Sequence, residues 1–211
     1  MNISVINPST KKVEIVLKMI ERGPGKDITD FRLFGEREDR VVSVTSSCQI
    51  ILYSMSYKQK RGVVAHYQED LMNKRNEQGQ SIAVCKKNEY VCVGIGQWKS
   101  PSLCSRMIIL KLNQNSFIKT ASVDLFRKEI GANYVLETIG YVGRHIMWVG
   151  LSWKSGSVQV LDYDTETGGF NEIEDKRVSH EEFSPFKLRR LGDQLYYIGE
   201  NGKLMRLGVT N

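Results

Sequence analysis

The sequence predicts an all-β fold, a β-propeller of about four to five blades, each of four antiparallel strands. Two observations carry this. Four turns, Asn7-Pro8-Ser9-Thr10, Lys58-Gln59-Lys60-Arg61, Asn113-Gln114-Asn115-Ser116 and Asp164-Thr165-Glu166-Thr167, return at a nearly constant spacing, each between apolar-alternating runs. A repeat of roughly fifty residues built only from strands is the sequence mark of a propeller blade. Nowhere do apolar residues recur at helical spacing for long enough to make a packed helix.

The clearest unit starts at Tyr134. Val135–Val142 alternates as a first strand and ends at Gly143-Arg144. His145–Ser152 is a largely apolar second strand, and Trp153-Lys154-Ser155-Gly156 is a loop of turn formers. Val158–Tyr163 is the third strand, the Asp164 turn follows, and Phe170–Ile173 begins a fourth. The preceding unit repeats the order with Ser81–Cys85, Tyr90–Ile95, Met107–Leu112 and Phe117–Val123. Before it come Asp30–Phe34, Arg40–Val44, Gln49–Tyr57 and Gly62–Tyr67. The C-terminal part gives Phe186–Leu191, Gln194–Ile198 and Lys203–Leu207, and the N-terminal part Asn2–Ile6 and Lys12–Lys18.

One domain over 1–211 therefore holds full blades at about 28–70, 81–125 and 134–176, with partial blades at 1–20 and 184–208. Two closures compete. Lys12–Lys18 could complete the C-terminal group and close a four-bladed ring, or the units form an open arc of a larger propeller. The arc is preferred, since a closed four leaves Asn2–Ile6 surplus. Between units, Gln68–Gln80 reads as a mobile polar excursion, Val123–Gly131 as a helical turn and Asp175–Phe183 as a charged connector.

The stretch Tyr141–Gly150, followed by Val158–Ile173 with its Asp-x-x-Thr turn before Phe170, resembles a kelch repeat. Ile3–Thr10 resembles the second half of that repeat and also the Asn-Pro-Ser-Thr turn of F-box-associated propeller segments. At the positions where kelch repeats carry a double glycine, this chain has Gly150-Leu151, Gly94-Ile95-Gly96 and Gly199-Glu200. The resemblance implies a protein-binding adaptor, of a kind that sometimes serves ubiquitin ligases.

The net charge of +6 permits an acidic partner, but the basic residues are scattered in short groups at turns, such as Lys74-Arg75 and Lys86-Lys87. Nucleic-acid surfaces concentrate charge on one face, so a nucleic-acid partner is not expected, though the charge does not exclude one. No apolar stretch approaches the ~20 residues of a membrane span, and the first residues lack the features of a secretory signal. Cys48, Cys85, Cys92 and Cys104 read as reduced thiols of a cytosolic, or nuclear, protein. Their spacing is not that of a zinc site, and no cofactor is expected.

No catalytic constellation stands out. His66, His145 and His180 read as structural or unsupported by a nearby nucleophile. Gly94-x-Gly96 reads as a turn. Asp164 has the place of a turn residue bonding the backbone two residues on, while Asp162 has no local explanation. Trp98 and Trp153 occupy corresponding loops of adjacent units. With Lys99, Lys154, and secondarily Arg106 and Arg144, they are the expected contacts of a non-catalytic protein-interaction module, because exposed aromatics and arginine anchor interfaces. The alternatives are a small-propeller hydrolase using paired carboxylates on carbohydrate, and a binder of an acidic polymer.

Overall fold

A computed structural model of the chain describes residues 2–6, 9–11, 13–18, 28–34, 40–54, 63–67, 77–85, 89–97, 105–114, 116–125, 134–152, 157–177, 187–191, 194–198 and 203–207. They form β1 (Asn2–Ile6) and β2 (Val13–Lys18); β3 (Ile28–Phe34), β4 (Arg40–Thr45), β5 (Ile50–Ser54) and β6 (Val63–Tyr67); β7 (Glu77–Cys85), β8 (Tyr90–Gln97), β9 (Ser105–Asn113) and β10 (Ser116–Leu125). β11 (Tyr134–Val142), β12 (His145–Ser152), β13 (Ser157–Asp164) and β14 (Phe170–Arg177) follow, then β15 (Lys187–Leu191), β16 (Gln194–Ile198) and β17 (Leu204–Leu207). Each group is its own antiparallel sheet in sequential order, of two, four, four, four and three strands. Among the described residues there is no helix.

Strand β8 shows how the sequence builds this architecture. Side chains alternate across a strand with a period of two. Val91, Val93 and Ile95 enter the core shared with the β3–β6 sheet, beside Val42, Val44 and Leu52. Tyr90 and Cys92 point the other way, into the core shared with β11–β14, beside Tyr134, Leu136 and Trp148. A third core joins Val149, Leu151 and Val160 to Leu188, Leu195 and Tyr197. A sheet covered on both faces needs apolar residues at every position, and β9 is buried without interruption from Ser105 to Leu110. Strand β10, outermost in its sheet, alternates instead, with Lys119 and Asp124 exposed and a bulge between Lys119 and Ala121. Charge and a bulge on an edge discourage pairing with other chains.

The first strands of successive blades, β3, β7, β11 and β15, lie side by side at the centre, and they run parallel. Tyr134 N–H donates to Gln80 Oε1, Leu136 N–H to Ser81 Oγ and Thr138 Oγ1 to Val84 O, the same direction along both strands. Close approach here requires glycine. A Cβ on Gly79 would sit 2.4 Å from both Thr45 O and Val44 Cγ2. Gly94 lies within β8 rather than in a turn, and its Cβ would meet the Tyr134 ring at 3.0 Å.

Several expectations are corrected. Strand β2 pairs with β1 and not with the C-terminal sheet, so the four-bladed closure is not formed. The stretch read as a mobile excursion ends in ordered strand, since Glu77–Gln80 open β7, where Glu77 meets Arg106; residues 68–76 lie outside the described ones. Val123–Leu125 continue β10 rather than turning helically, and Asp175–Arg177 extend β14 into the supposed connector.

Candidate functional site

The centre of the molecule holds charge that the propeller core alone does not need. β3 reads Ile-Thr-Asp-Phe-Arg-Leu-Phe, and its alternation turns Asp30 and Arg32 inward with Phe34 while Phe31 and Leu33 stay 38% and 39% exposed. Asp30 is buried. Its carboxylate accepts Arg32 Nη1 at 2.9 Å on both oxygens, the Phe31 N–H at 3.0 Å, Ser81 Oγ at 3.3 Å and the Ile82 N–H at 3.2 Å. Arg189 Nη2, from β15, reaches it at 3.4 Å. One carboxylate thus ties three blades together, and its lone pairs are used.

Around this knot, toward the C-terminal ends of the first strands, lies a cavity of about 720 Å³. Arg32, Arg189, Arg190 and Glu137 give it charge; Phe31, Leu33, Val84 and Tyr141 give it an apolar wall. Glu137 sits 3.8 Å from Arg32 Nη2 and accepts the Thr138 N–H at 3.0 Å. Burial nonetheless pushes its carboxyl above the usual range, against the pull of Arg32 and of that N–H. Burial, then the neighbouring Arg32 charge, lowers the Arg189 guanidinium from its ordinary value. Arg32 is 9% exposed, and its Nε–H has no partner among the described residues.

At the opposite end of the first strands a buried arginine is paired with a buried glutamate. Arg106 Nη2 meets Glu77 at 2.7 Å, both residues buried. Above them the Tyr134 hydroxyl donates to Arg106 O and accepts the Ile95 N–H at 3.1 Å. Burial, reinforced by the Cys92 thiol, holds that phenol well above its ordinary value, so it stays neutral.

Trp98, Lys99, Trp153 and Lys154 lie outside the described residues. The strands leading to them are described, and they end together: Gln97 is paired with Glu77 and Ser152 with Tyr134, so both loops leave from the closed end. Arg106 is inside the fold rather than on a surface. Arg144 is exposed at the other end, in the β11–β12 turn, where it meets Glu166 and reaches Asp164 at 3.2 Å. Arg106 and Arg144 therefore do not share a face.

Asp162 finds its explanation in His145, whose Nδ1 lies 2.9 Å from it across the β12–β13 pair. Asp164 accepts the Glu166 N–H at 2.9 Å, which is the main reason its carboxyl falls below the usual range. Cys48, Cys85 and Cys92 are buried thiols outside any disulfide. His180 and the Lys58–Arg61 and Lys86-Lys87 groups lie outside the described residues.

Sequence reasoning passed over Asp30, Arg32, Glu137, Arg189 and Arg190. A signal was there: β3, β7, β11 and β15 each carry charge within an otherwise strand-like run. Charged residues are rarely buried unless paired, so recurrence in corresponding strands points to partners across the blades.

Solved structures similar to this chain are β-propellers. The β-propeller domain of Nup133 from Vanderwaltozyma polyspora superposes with a TM-score of 0.64 at 11% identity, over 97% of this chain and 64% of that one. The periplasmic gluconolactonase PpgL of Pseudomonas aeruginosa gives 0.64 at 8%, over 98% and 62%. A chain of a nidogen/laminin complex gives 0.51 at 11%, over 91% and 62%. The chain thus spans less than two thirds of each of these structures, as an incomplete ring of blades would. No family model and no curated relative matches it.

Proposed function

We propose that the chain is a non-catalytic protein-interaction module, a kelch-like propeller arc whose rigid blades present the central cavity and the loops around it to a partner. The observation that carries this is the cavity at the open end of the first strands, with Arg189, Arg190, Tyr141, Phe31 and Leu33 on its wall. Arginine and aromatic groups are enriched in the cores of interfaces and dominate their energetics. A hydrolase acting with paired carboxylates needs one as acid and one as base or nucleophile. Asp30, the carboxylate nearest Glu137's arginine partner, is consumed by structural donors, which argues against that reading. The similar structures include both a lactonase and a protein complex, so the fold by itself favours neither. Buried thiols outside any disulfide accord with a reducing, cytosolic setting as part of the same proposal.

The test is capture by the purified chain, immobilised, in parallel with assays on lactone and glycoside substrates. The expected result is a saturable protein partner that is lost on Arg189→Ala with Arg190→Ala, and no turnover above background. Turnover abolished by Glu137→Gln would overturn the proposal in favour of an enzyme.

A further inference from the structure

The C-terminal sheet has one strand fewer than the three sheets before it. The β3–β6, β7–β10 and β11–β14 sheets each end on a fourth strand, whereas this one ends on β17, with nothing paired to its outer edge among the described residues. In the complete blades the third strand is sealed: Ile50–Tyr53 of β5, Ser105–Leu110 of β9 and Val158–Leu161 of β13 are buried. Strand β17 holds that third place and reads Leu-Met-Arg-Leu, yet Leu204 and Arg206 are exposed and Met205 is only half-buried. Its edge also lacks a guard that the outer strands carry. β6, β10 and β14 each join their neighbour through a bulge, while the β16–β17 ladder runs from Ile198 and Leu204 to Leu195 and Leu207 without one. A regular outer edge with apolar side chains is a template for a further strand.

Resting on the interaction reading above, we infer that β17 is a docking edge, and that it takes an extended segment of the protein partner as an antiparallel fourth strand. The register of β17 defines the segment. Residues paired across two strands share a face, so Met205 lies with Tyr197 toward the core that holds Leu188 and Leu195. Leu204 lies with Ile198 on the other face, where they are 62% and 41% exposed. Arg206 shares that face, two positions on. From its N-terminus the incoming strand therefore places an acidic residue opposite Arg206, an apolar one opposite Met205 and an apolar one opposite Leu204. Strand β10 shows what a fourth strand adds to this fold: Phe117 is buried in the core shared with β3–β6, and Leu125 in the core shared with β11–β14. A small anion has no row of donors and acceptors with which to use such an edge.

The probe is the peptide Thr-Thr-Glu-Val-Val-Thr-Thr, titrated onto the intact, isotope-labelled chain and followed by backbone amide chemical shifts. The expected result is saturable shifts centred on Leu204–Leu207, absent with the same peptide N-methylated at its central residues, since main-chain hydrogen bonds supply the affinity of an added strand. Lysine in place of the peptide's glutamate should weaken binding about two- to tenfold, and Arg206→Glu should reverse that preference. Arg206 is exposed, so the exchange tests the edge without opening a core. Equal binding of the N-methylated peptide, or no shift at β17 with millimolar peptide, would overturn the docking edge. A charge preference unmoved by Arg206→Glu would overturn the register. Shifts at β17 that grow with protein concentration before any peptide is added would hand the edge to a second copy of the chain. A protein partner captured equally well by Arg206→Glu, but lost with Arg189→Ala and Arg190→Ala, would remove this site and leave the interaction reading standing. Turnover abolished by Glu137→Gln would remove that reading while peptide binding at β17 survived.

Discussion

The two ends of the central strands use the same chemistry to opposite effect. At the closed end one arginine meets one glutamate, Arg106 with Glu77, beneath a tyrosine hydroxyl that both donates and accepts. The backbone packs against glycine, and both side chains are nearly sealed from water. At the open end Asp30 holds Arg32 and Arg189 together, Glu137 lies 3.8 Å from Arg32 Nη2, and a cavity remains. A buried pair sealed from water fixes geometry. At the open end the buried charges border a cavity instead. Burial does not separate the two ends; access from a cavity does.

The largest effect should come from cutting the open-end knot. Asp30→Ala leaves two guanidiniums facing one another with their shared counter-charge gone, and strands the Ile82 N–H and Ser81 Oγ. Removing one partner of a buried ion pair costs about 3–5 kcal/mol. Urea denaturation of the variant should show a loss of that size with the slope unchanged. A loss below about 1 kcal/mol, the level of an exposed pair, would mean that Asp30 does not tie the blades.

Gly79→Ala probes the closed end, where backbone rather than charge sets the limit. The added methyl collides with Thr45 O, which belongs to the neighbouring blade and also takes the Cys48 N–H at 2.9 Å. Overpacking of this kind costs about 1–3 kcal/mol. Thermal unfolding should register it as a lower Tm. An unchanged Tm would show that the contact between β7 and β4 is looser than drawn, and with it the seal of that end.

A smaller, pH-dependent effect separates Glu137 from a conventional surface glutamate. Its carboxyl is raised by burial in the fold, so the folded chain binds this proton more tightly than the unfolded chain, where the value is about 4.3. Such a group contributes stability that is fully present below the unfolded value and is lost as pH rises through the folded one. Glu137→Gln keeps the side-chain shape but cannot ionise. Urea midpoints taken across this range should therefore show the wild type losing ground to Glu137→Gln as pH rises from about 4.3, then levelling off. A difference that stays flat with pH would place Glu137 in solvent or in a tight pair with Arg32, and the open end would look like the closed one.

The blades were legible and the knot was not, for a physical reason. Period-two runs such as Tyr90–Ile95, and turn residues such as Asp164 and Gly168, act through neighbours a few positions away, so a single sequence displays them. Strand ends were displaced wherever long-range contact overrode local polarity: Glu77–Gln80 look like loop until Arg106 and Tyr134 are seen to receive them. Asp30 and Arg189 are far apart in the chain, and nothing in either segment names the other. The charged positions of the first strands could be noticed, but not paired. Trp98 and Trp153, chosen because they recur, remain outside the described residues, while Arg106 failed as a surface residue because alternation on β9 had no exposed side to offer.

The smallest effect belongs to Arg144, and its size is what tests the part burial plays. Arg144 touches two carboxylates, yet its side chain is 52% exposed and that of Glu166 is 69% exposed. Exposed pairs contribute about 0–1 kcal/mol, because water screens them and two long side chains must be held still. Nor is the turn hung on this arginine: Asp164 is held mainly by the Glu166 and Thr167 N–H groups, with Gly168 N–H closing onto Asp164 O at 2.8 Å. Arg144→Ala should therefore shift the urea midpoint by less than about 1 kcal/mol, and the Asp164 carboxyl, followed by NMR titration, should stay below the usual range. If Arg144→Ala instead cost as much as Asp30→Ala, the number of carboxylates contacted would govern these sites, and sealing from water would not.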